Sequence, residues 1–226
     1  MDFGSSQEKP RAKPNILLLL TDDQSYDTIA ALGNTEVITP NLDRLARSGT
    51  AFDNAYNMGG WNGAICLASR AMFNTGRFLW RAHALDNSLD KEAQAGRLLP
   101  LMLNQAGYQT FMSGKWHVRI PADRIYDHTL HIRPGMPGSL DAAYQRPNNK
   151  HDWTPWDTRL GGFWEGGKHW SEVLADDAQI FFKQTASSGR PFFMYLAFNA
   201  PHDPRQSPRK FVERYKRNRL KVPANF

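Results

Sequence analysis

Ile16-Leu17-Leu18-Leu19-Leu20-Thr21-Asp22-Asp23-Gln24 sets five consecutive aliphatic residues against four polar ones. The apolar run has no polar alternation, which predicts a strand buried on both faces, as in a parallel sheet. Five residues are too few to span a bilayer. They are also short for a signal-peptide core, and Asp22-Asp23 stands where small cleavage-site residues would follow. The expectation is a soluble chain without a membrane partner. The mature form of an exported, periplasmic or secreted protein stays compatible with it.

Outward from this strand, helix and strand signals alternate. Thr39-Pro40 predicts a helix start, with Thr39 as N-cap and Pro40 first in the helix. Leu42, Leu45 and Ala46 form its apolar face, and Gly49 ends it. A second helix is predicted over 98–106, stopped at Gly107, then a strand over 108–112 that ends at Ser113-Gly114. A third helix over 172–186 has Ser171 as its cap and Gly189 as its close. A strand over 192–198 with no polar face follows, and Ser207-Pro208 opens a basic terminal helix. This order predicts an α/β fold with a mostly parallel sheet flanked by helices. Residues 118–170 are rich in Pro, Gly and Trp and show no clear period. They are expected to form a long functional loop region over the site. Residues 1–13 read as a polar, disordered leader, leaving 14–226 as one folded unit.

The chain has 226 residues, enough for a sizeable core, with 41% hydrophobic and 22% charged residues. That balance excludes a wholly disordered protein. Twenty-eight Lys and Arg against 22 Asp and Glu leave a net charge of +6, which suits an anionic ligand and equally suits ordinary solubility. The single cysteine excludes an intrachain disulfide and a multi-cysteine zinc site.

Ligands of open α/β sheets bind beyond the carboxyl ends of the strands. Three polar groups fall there: Thr21 to Gln24, Ser113 to His117, and Asn199 to Asp203. In a regular strand Asp22 and Asp23 would face opposite sides, but a turn past the strand end can aim both inward. Paired carboxylates bind hard cations such as calcium or magnesium. A strand-end turn, or Asp23 capping a following helix, explains the pair equally well. Lys115 offers a fixed positive charge to an anionic substrate, and His117 and His202 can move protons near neutral pH. Each of the three is ordinary when taken alone.

Cys66-Leu67-Ala68-Ser69-Arg70 follows Gly59, Gly60 and Gly63, and a helix is predicted through Met72. On a helix Cys66 and Arg70 share a face. Cys66 then lies at the helix N-terminus, where free amide groups favour negative charge. A buried, inert cysteine is the plain alternative.

Taken together these segments resemble the N-terminal portion of a type I sulfatase of the alkaline phosphatase superfamily. Pro14 to Gln24 is similar to the opening strand and first metal ligands of that family. Thr39 to Ala46 is similar to its next helix, and Cys66 to Arg70 to its Cys-x-Pro-x-Arg signature. Thr75-Gly76-Arg77, Gly114-Lys115-Trp116-His117 and Ala200-Pro201-His202 follow in the family's order. The resemblance implies a sulfuric ester hydrolase that acts through formylglycine, an aldehyde made from Cys66 by a separate formylglycine-generating enzyme. It implies one divalent cation, Ca2+, held by Asp22, Asp23 and the modified Cys66. By the same resemblance Arg70 holds the hydrated aldehyde and Lys115 neutralises sulfate oxygens. His117 acts as base, and His202 contacts the sulfate and helps protonate the leaving alcohol.

Two departures stand out. Ala68 occupies the place of the signature's Pro, as in some family members. The family's second metal pair and second lysine have no counterpart in order, since Asp53-Asn54 and Asp86-Asn87 are misplaced. The expectation is therefore a chain truncated at its C-terminus. The rival readings are a phosphonate or phosphodiester hydrolase of the same superfamily and an inactive remnant. Nucleic-acid binding through Arg209, Lys210, Arg214, Lys216 and Arg217 ranks below a basic solvated face, so no nucleic-acid partner is expected. Trp153, Trp156, Trp164 and Trp170 suit stacking on a sugar, hence a sulfated small molecule or carbohydrate as substrate. Packing explains them at least as well.

Overall fold

The computed structural model describes residues 12–63, 65–138, 141–144, 153–216 and 220–221. The leader expected over 1–13 therefore lies outside the described residues except for Ala12 and Lys13. Four strands, β1 (Ile16–Asp22), β2 (Gln109–Lys115), β3 (His128–Arg133) and β4 (Phe192–Pro201), form one sheet in the order β1-β4-β2-β3. Every pairing is parallel, which fits the predicted fold class. Among the described residues seven α-helices accompany it: α1 (Pro40–Ser48), α2 (Ile65–Thr75), α3 (Leu79–Leu85), α4 (Leu89–Gln94), α5 (Leu99–Gln105), α6 (Trp170–Ser188) and α7 (Arg209–Val212).

The central strand β4 shows why the sheet holds. Its side chains alternate between two cores with the period-two rule. Phe193, Tyr195 and Ala197 pack with Met112, Trp116 and Tyr126 on one face. Phe192, Met194 and Leu196 meet Phe111 and Phe181 on the other. Each such side chain contributes about 1.5–3 kcal/mol when fully buried. Helix α6 covers the second face through Trp170, Val173, Leu174, Asp177, Ala178 and Phe181, spaced as one helical stripe. Asp177 is the one charged residue in that stripe.

Several expectations are corrected. β1 is the edge strand of the described sheet, paired only with β4, and Leu19 is 47% exposed, so its aliphatic run is not buried on both faces. In α1 Pro40 does open the helix, but Leu45 is 59% exposed and Asp43 is the buried residue. Thr39 does not cap it through its side chain; the hydroxyl donates to Asp43 Oδ1 at 2.8 Å instead. α6 begins two residues before the predicted start, and His169 replaces Ser171 as cap by accepting the Ser171 amide at Nδ1. Gly189 closes it in the left-handed conformation, as expected. α3 and α4 were not anticipated, and the region 118–170 contains β3 rather than loop alone. The basic terminal helix is a single turn, with Arg209 paired to Glu213 and Lys210 to Glu172. Arg217 lies outside the described residues. Trp170 is fully buried, with Trp164 packed on it and the Arg133 guanidinium 4.5 Å from each ring centre. These two tryptophans are therefore packing residues.

β2 also differs from its predicted limits. It starts at Gln109 and runs on through Ser113 and Gly114, where the pattern predicts its end, to Lys115. At the β2–β3 boundary Ser113 pairs with Leu130 but Gly114 pairs with Ile132, so His131 is an extra residue, a bulge. Gly114 has φ +109°, a left-handed value that favours glycine, and an added Cβ would run into the Ala197 carbonyl and Leu174.

Candidate active site

The cleft opens where β1, β2 and β4 end. β1 delivers Asp22 and then Asp23, whose φ of 57° turns the chain at once. β2 delivers Lys115, and two residues later His117, also at positive φ (54°). β4 delivers His202 just beyond Pro201. α2 starts at Ile65 and presents Cys66, Ser69 and Arg70. A cleft of about 500 Å³ is lined by Asp22, Asp23, Cys66, Arg70, His117 and His202, among others. The three polar strand ends singled out in the sequence lie side by side here, and the start of α2 joins them, although the partners sit far apart in sequence.

The floor of the cleft is a buried charge cluster. Lys115 is 0% exposed, Arg70 2% and Asp22 6%. Lys115 Nζ donates to Asp22 Oδ2, and Arg70 Nη2 lies 3.4 Å from the same oxygen. Arg70 also donates through Nη1 to the Lys115 carbonyl at 2.5 Å and to the Tyr195 hydroxyl at 3.0 Å. Two cations thus meet one carboxylate, leaving one positive charge in excess. That excess belongs to the buried floor and favours an anion there, while the exposed Asp23 carboxylate lining the same cleft offsets it toward the mouth. Burial pushes the Tyr195 hydroxyl up to about 12, against the lowering effect of Arg70, so it stays neutral.

Above this floor Cys66 Sγ stands 3.2 Å from His117 Nδ1. Cys66 is half-buried and faces the cleft, so the inert-core alternative does not describe it. Burial holds His117 below the ordinary histidine value, reinforced by the Lys115 and Arg70 charges and partly offset by Asp22. Its imidazole is therefore neutral near pH 7, with a lone pair available to take a proton. His202 directs Nδ1 at the Asp203 carbonyl, 2.7 Å away, which leaves Nε2 for the cleft.

The metal expectation is met only in kind. Asp22 turns to Lys115 and Arg70, while Asp23, His202 and Asp203 bring ligand-type atoms within 4.8 Å of one another. Carboxylates of this sort suit a hard divalent cation, but Asp22, Asp23 and Cys66 together fall short of the six to eight oxygens calcium takes. Asp203 entered the sequence reading only as part of a strand-end group. Tyr195 and Met136 (whose Sδ is 3.1 Å from Lys115 Nζ) were missed altogether. Tyr195 alternates correctly within a strand that reads as purely apolar, which hides its polar tip.

A family model described as Sulfatase matches residues 14–224. The chain is 32% identical over 204 residues to an N-acetylglucosamine-6-O-sulfatase of Bacteroides thetaiotaomicron, covering 88% of this chain and 32% of that one. It is 31% identical over 232 residues to the N-acetylgalactosamine-6-sulfatase of Canis lupus familiaris, covering 91% and 43%. It therefore spans less than half the length of these curated relatives. The solved structure of Ps i-CgsB in complex with k-i-k-neocarrahexaose is similar at 25% identity and a TM-score of 0.66, over 92% of this chain and 49% of that one. The phosphonate monoester hydrolase of Agrobacterium radiobacter shares the fold, with 19% identity and a TM-score of 0.55 over 93% and 45% of the two chains.

Proposed function

Because the chain belongs to the sulfatase family, we propose that its strand-end cleft holds the sulfate group of a sulfate ester for hydrolysis. The convergence of Cys66, His117, Arg70 and His202 on one cleft, with Lys115 buried beneath it and an excess of buried positive charge in its floor, carries this reading. The substrate class is a sulfated carbohydrate, because the relatives named above are amino-sugar sulfatases. Cys66 is the site of formylglycine formation by a separate maturation enzyme. Its half-buried position beside a neutral histidine, at the start of α2, fits a nucleophile. Ala68 is fully buried in the same helix, so the missing signature Pro leaves the helix backbone unbroken.

Asp22 and Asp23, with the modified Cys66, would hold a divalent cation, Ca2+ by family. When present, the hydrated aldehyde supplies one hydroxyl for attack at sulfur and another for release of sulfate, and the cation polarises the sulfate oxygens. The chain's own groups do the rest. Lys115 and Arg70 stabilise charge that builds on the sulfate oxygens, with no reorganisation needed because both are already buried and fixed. His117, neutral and beside Cys66, takes the proton from the hydroxyl nearest it. His202, with its Nδ1–H held by the Asp203 carbonyl, can give a proton from Nε2 to the leaving alcohol only as the imidazolium, and returns to the neutral ring in doing so.

Side-by-side turnover of an aryl sulfate and a phosphodiester, by protein made with the maturation enzyme, tests the reading. Sulfate is expected to be the faster substrate, and Lys115→Ala to lower kcat by about 100-fold to 1,000-fold. Faster phosphodiester turnover would favour the phosphonate-hydrolase alternative. An inert protein with Cys66 fully converted would favour the remnant.

A further inference from the structure

Asp177 is fully buried inside the apolar stripe of α6. A buried carboxylate is costly unless its oxygens are hydrogen-bonded. Here Ser113 Oγ donates to Oδ2 at 2.6 Å. His131 Nδ1 lies 2.8 Å from Oδ1 and 2.9 Å from Oδ2, and facing a carboxylate it is the donor. The imidazole is held from its other side by Trp164, edge-on at 4.9 Å between ring centres.

The two partners flank the β2–β3 bulge. Ser113 is the last residue of β2 before the register breaks, and His131 is the extra residue of β3, at φ 44°. The break has a directional consequence. Phe111 and Ser113 face α6, so strict alternation would aim Lys115 at α6 as well. Gly114 interrupts the alternation, because its own Cβ direction also points at Leu174 of α6. Lys115 is thereby turned to the opposite face, where Asp22 and Arg70 of α2 receive it. Gly114, at φ +109° in β2 and opposite the bulge of β3, aims the lysine into the floor of the cleft.

We infer that Asp177 is a positioning residue for Lys115, acting by clamping both sides of this bulge. The inference rests on the role proposed above for Lys115, but its test does not need turnover. Lys115 is fully buried, so acetic anhydride should label it slowly, as read by peptide mass spectrometry on the full chain. Asp177→Ala is expected to raise that labelling by about tenfold or more through local opening of the bulge. Phe181→Leu, on the same helix but packed on Phe111 away from the bulge, serves as a control chosen for a comparable loss of Tm. It should leave Lys115 labelling within about twofold of wild type. Asp177→Asn keeps the shape, the acceptor for Ser113 and a donor for a neutral His131, and should restore protection. Should Asp177→Ala not fold, Ser113→Ala and His131→Ala each remove one arm and should each raise labelling above the Phe181→Leu level. Equal labelling in the clamp variants and the control would overturn the assignment, even with the proposed function intact. Full turnover by Lys115→Ala would instead overturn the proposed role of Lys115, whatever the labelling shows.

Discussion

Asp22 carries two buried cations on one carboxylate oxygen. Removing it leaves Lys115 and Arg70 in a low-dielectric floor without a counter-charge. Breaking a buried pair in this way costs about 3–5 kcal/mol. Asp22→Ala is therefore expected to lose stability of that order in urea unfolding, whereas Asp23→Ala, at an exposed residue, should change it by less than about 0.5 kcal/mol. Similar losses for both would mean that the ion cluster does not anchor the cleft. Sequence reasoning found both aspartates because adjacent carboxylates after an aliphatic run are conspicuous. It did not separate them, because the distinction depends on Lys115 and Arg70, which lie 93 and 48 residues away. Local pattern carries no information about pairings at that distance. The same limit hid Tyr195, whose hydroxyl is 125 residues from the guanidinium it meets.

At the scale of elements, α6 shows what pattern reading gives and what it misses. Its apolar stripe and terminal Gly189 mark the helix plainly, but its cap is a histidine, an uncommon capping residue. His169 Nδ1 accepts the Ser171 amide, while its Nε2 donates to the Gln206 carbonyl at 3.0 Å. That pattern requires the neutral ring. Burial lowers the His169 pKa from the ordinary 6.5, against smaller raising effects of Gln206 and Glu172. The sign follows from linkage. The unfolded chain binds the proton more readily, so this contribution is complete above the ordinary value and is lost as pH falls through the folded one. His169→Asn, which can still cap, is expected to flatten the fall in Tm between neutral pH and about pH 5. An unchanged slope would show that the cap does not titrate with stability. β3 went unread for a different reason: its six residues are all half-buried and hold only two apolar side chains, Leu130 and Ile132, so it lacks an apolar run and its short alternation is lost in a stretch without a clear period. Gly114 likewise reads as a strand terminator, and only the sheet shows it inside β2, opposite the bulge that His131 makes in β3. Gly114→Ala should cost more than the roughly 1 kcal/mol typical of a point change, because it joins a left-handed φ to a steric clash with the Ala197 carbonyl. Thermal unfolding checks this, and an unperturbed Tm would contradict the bulge.

For the molecule as a whole, the parallel sheet and the gathering of polar groups at its carboxyl ends are readable from the sequence, since uninterrupted apolar strands and polar strand ends are both sequence-local signals. The edge position of β1 is not, because strand order is a property of pairing. The proposed function places Cys66 at the centre of the chemistry, and the structure puts it half-buried, 3.2 Å from His117. The most direct measurement is the mass of the Cys66 peptide from protein made together with an active formylglycine-generating enzyme. An aldehyde at Cys66 is the predicted result. An unmodified thiol throughout, with a control substrate fully converted in the same cells, would contradict it.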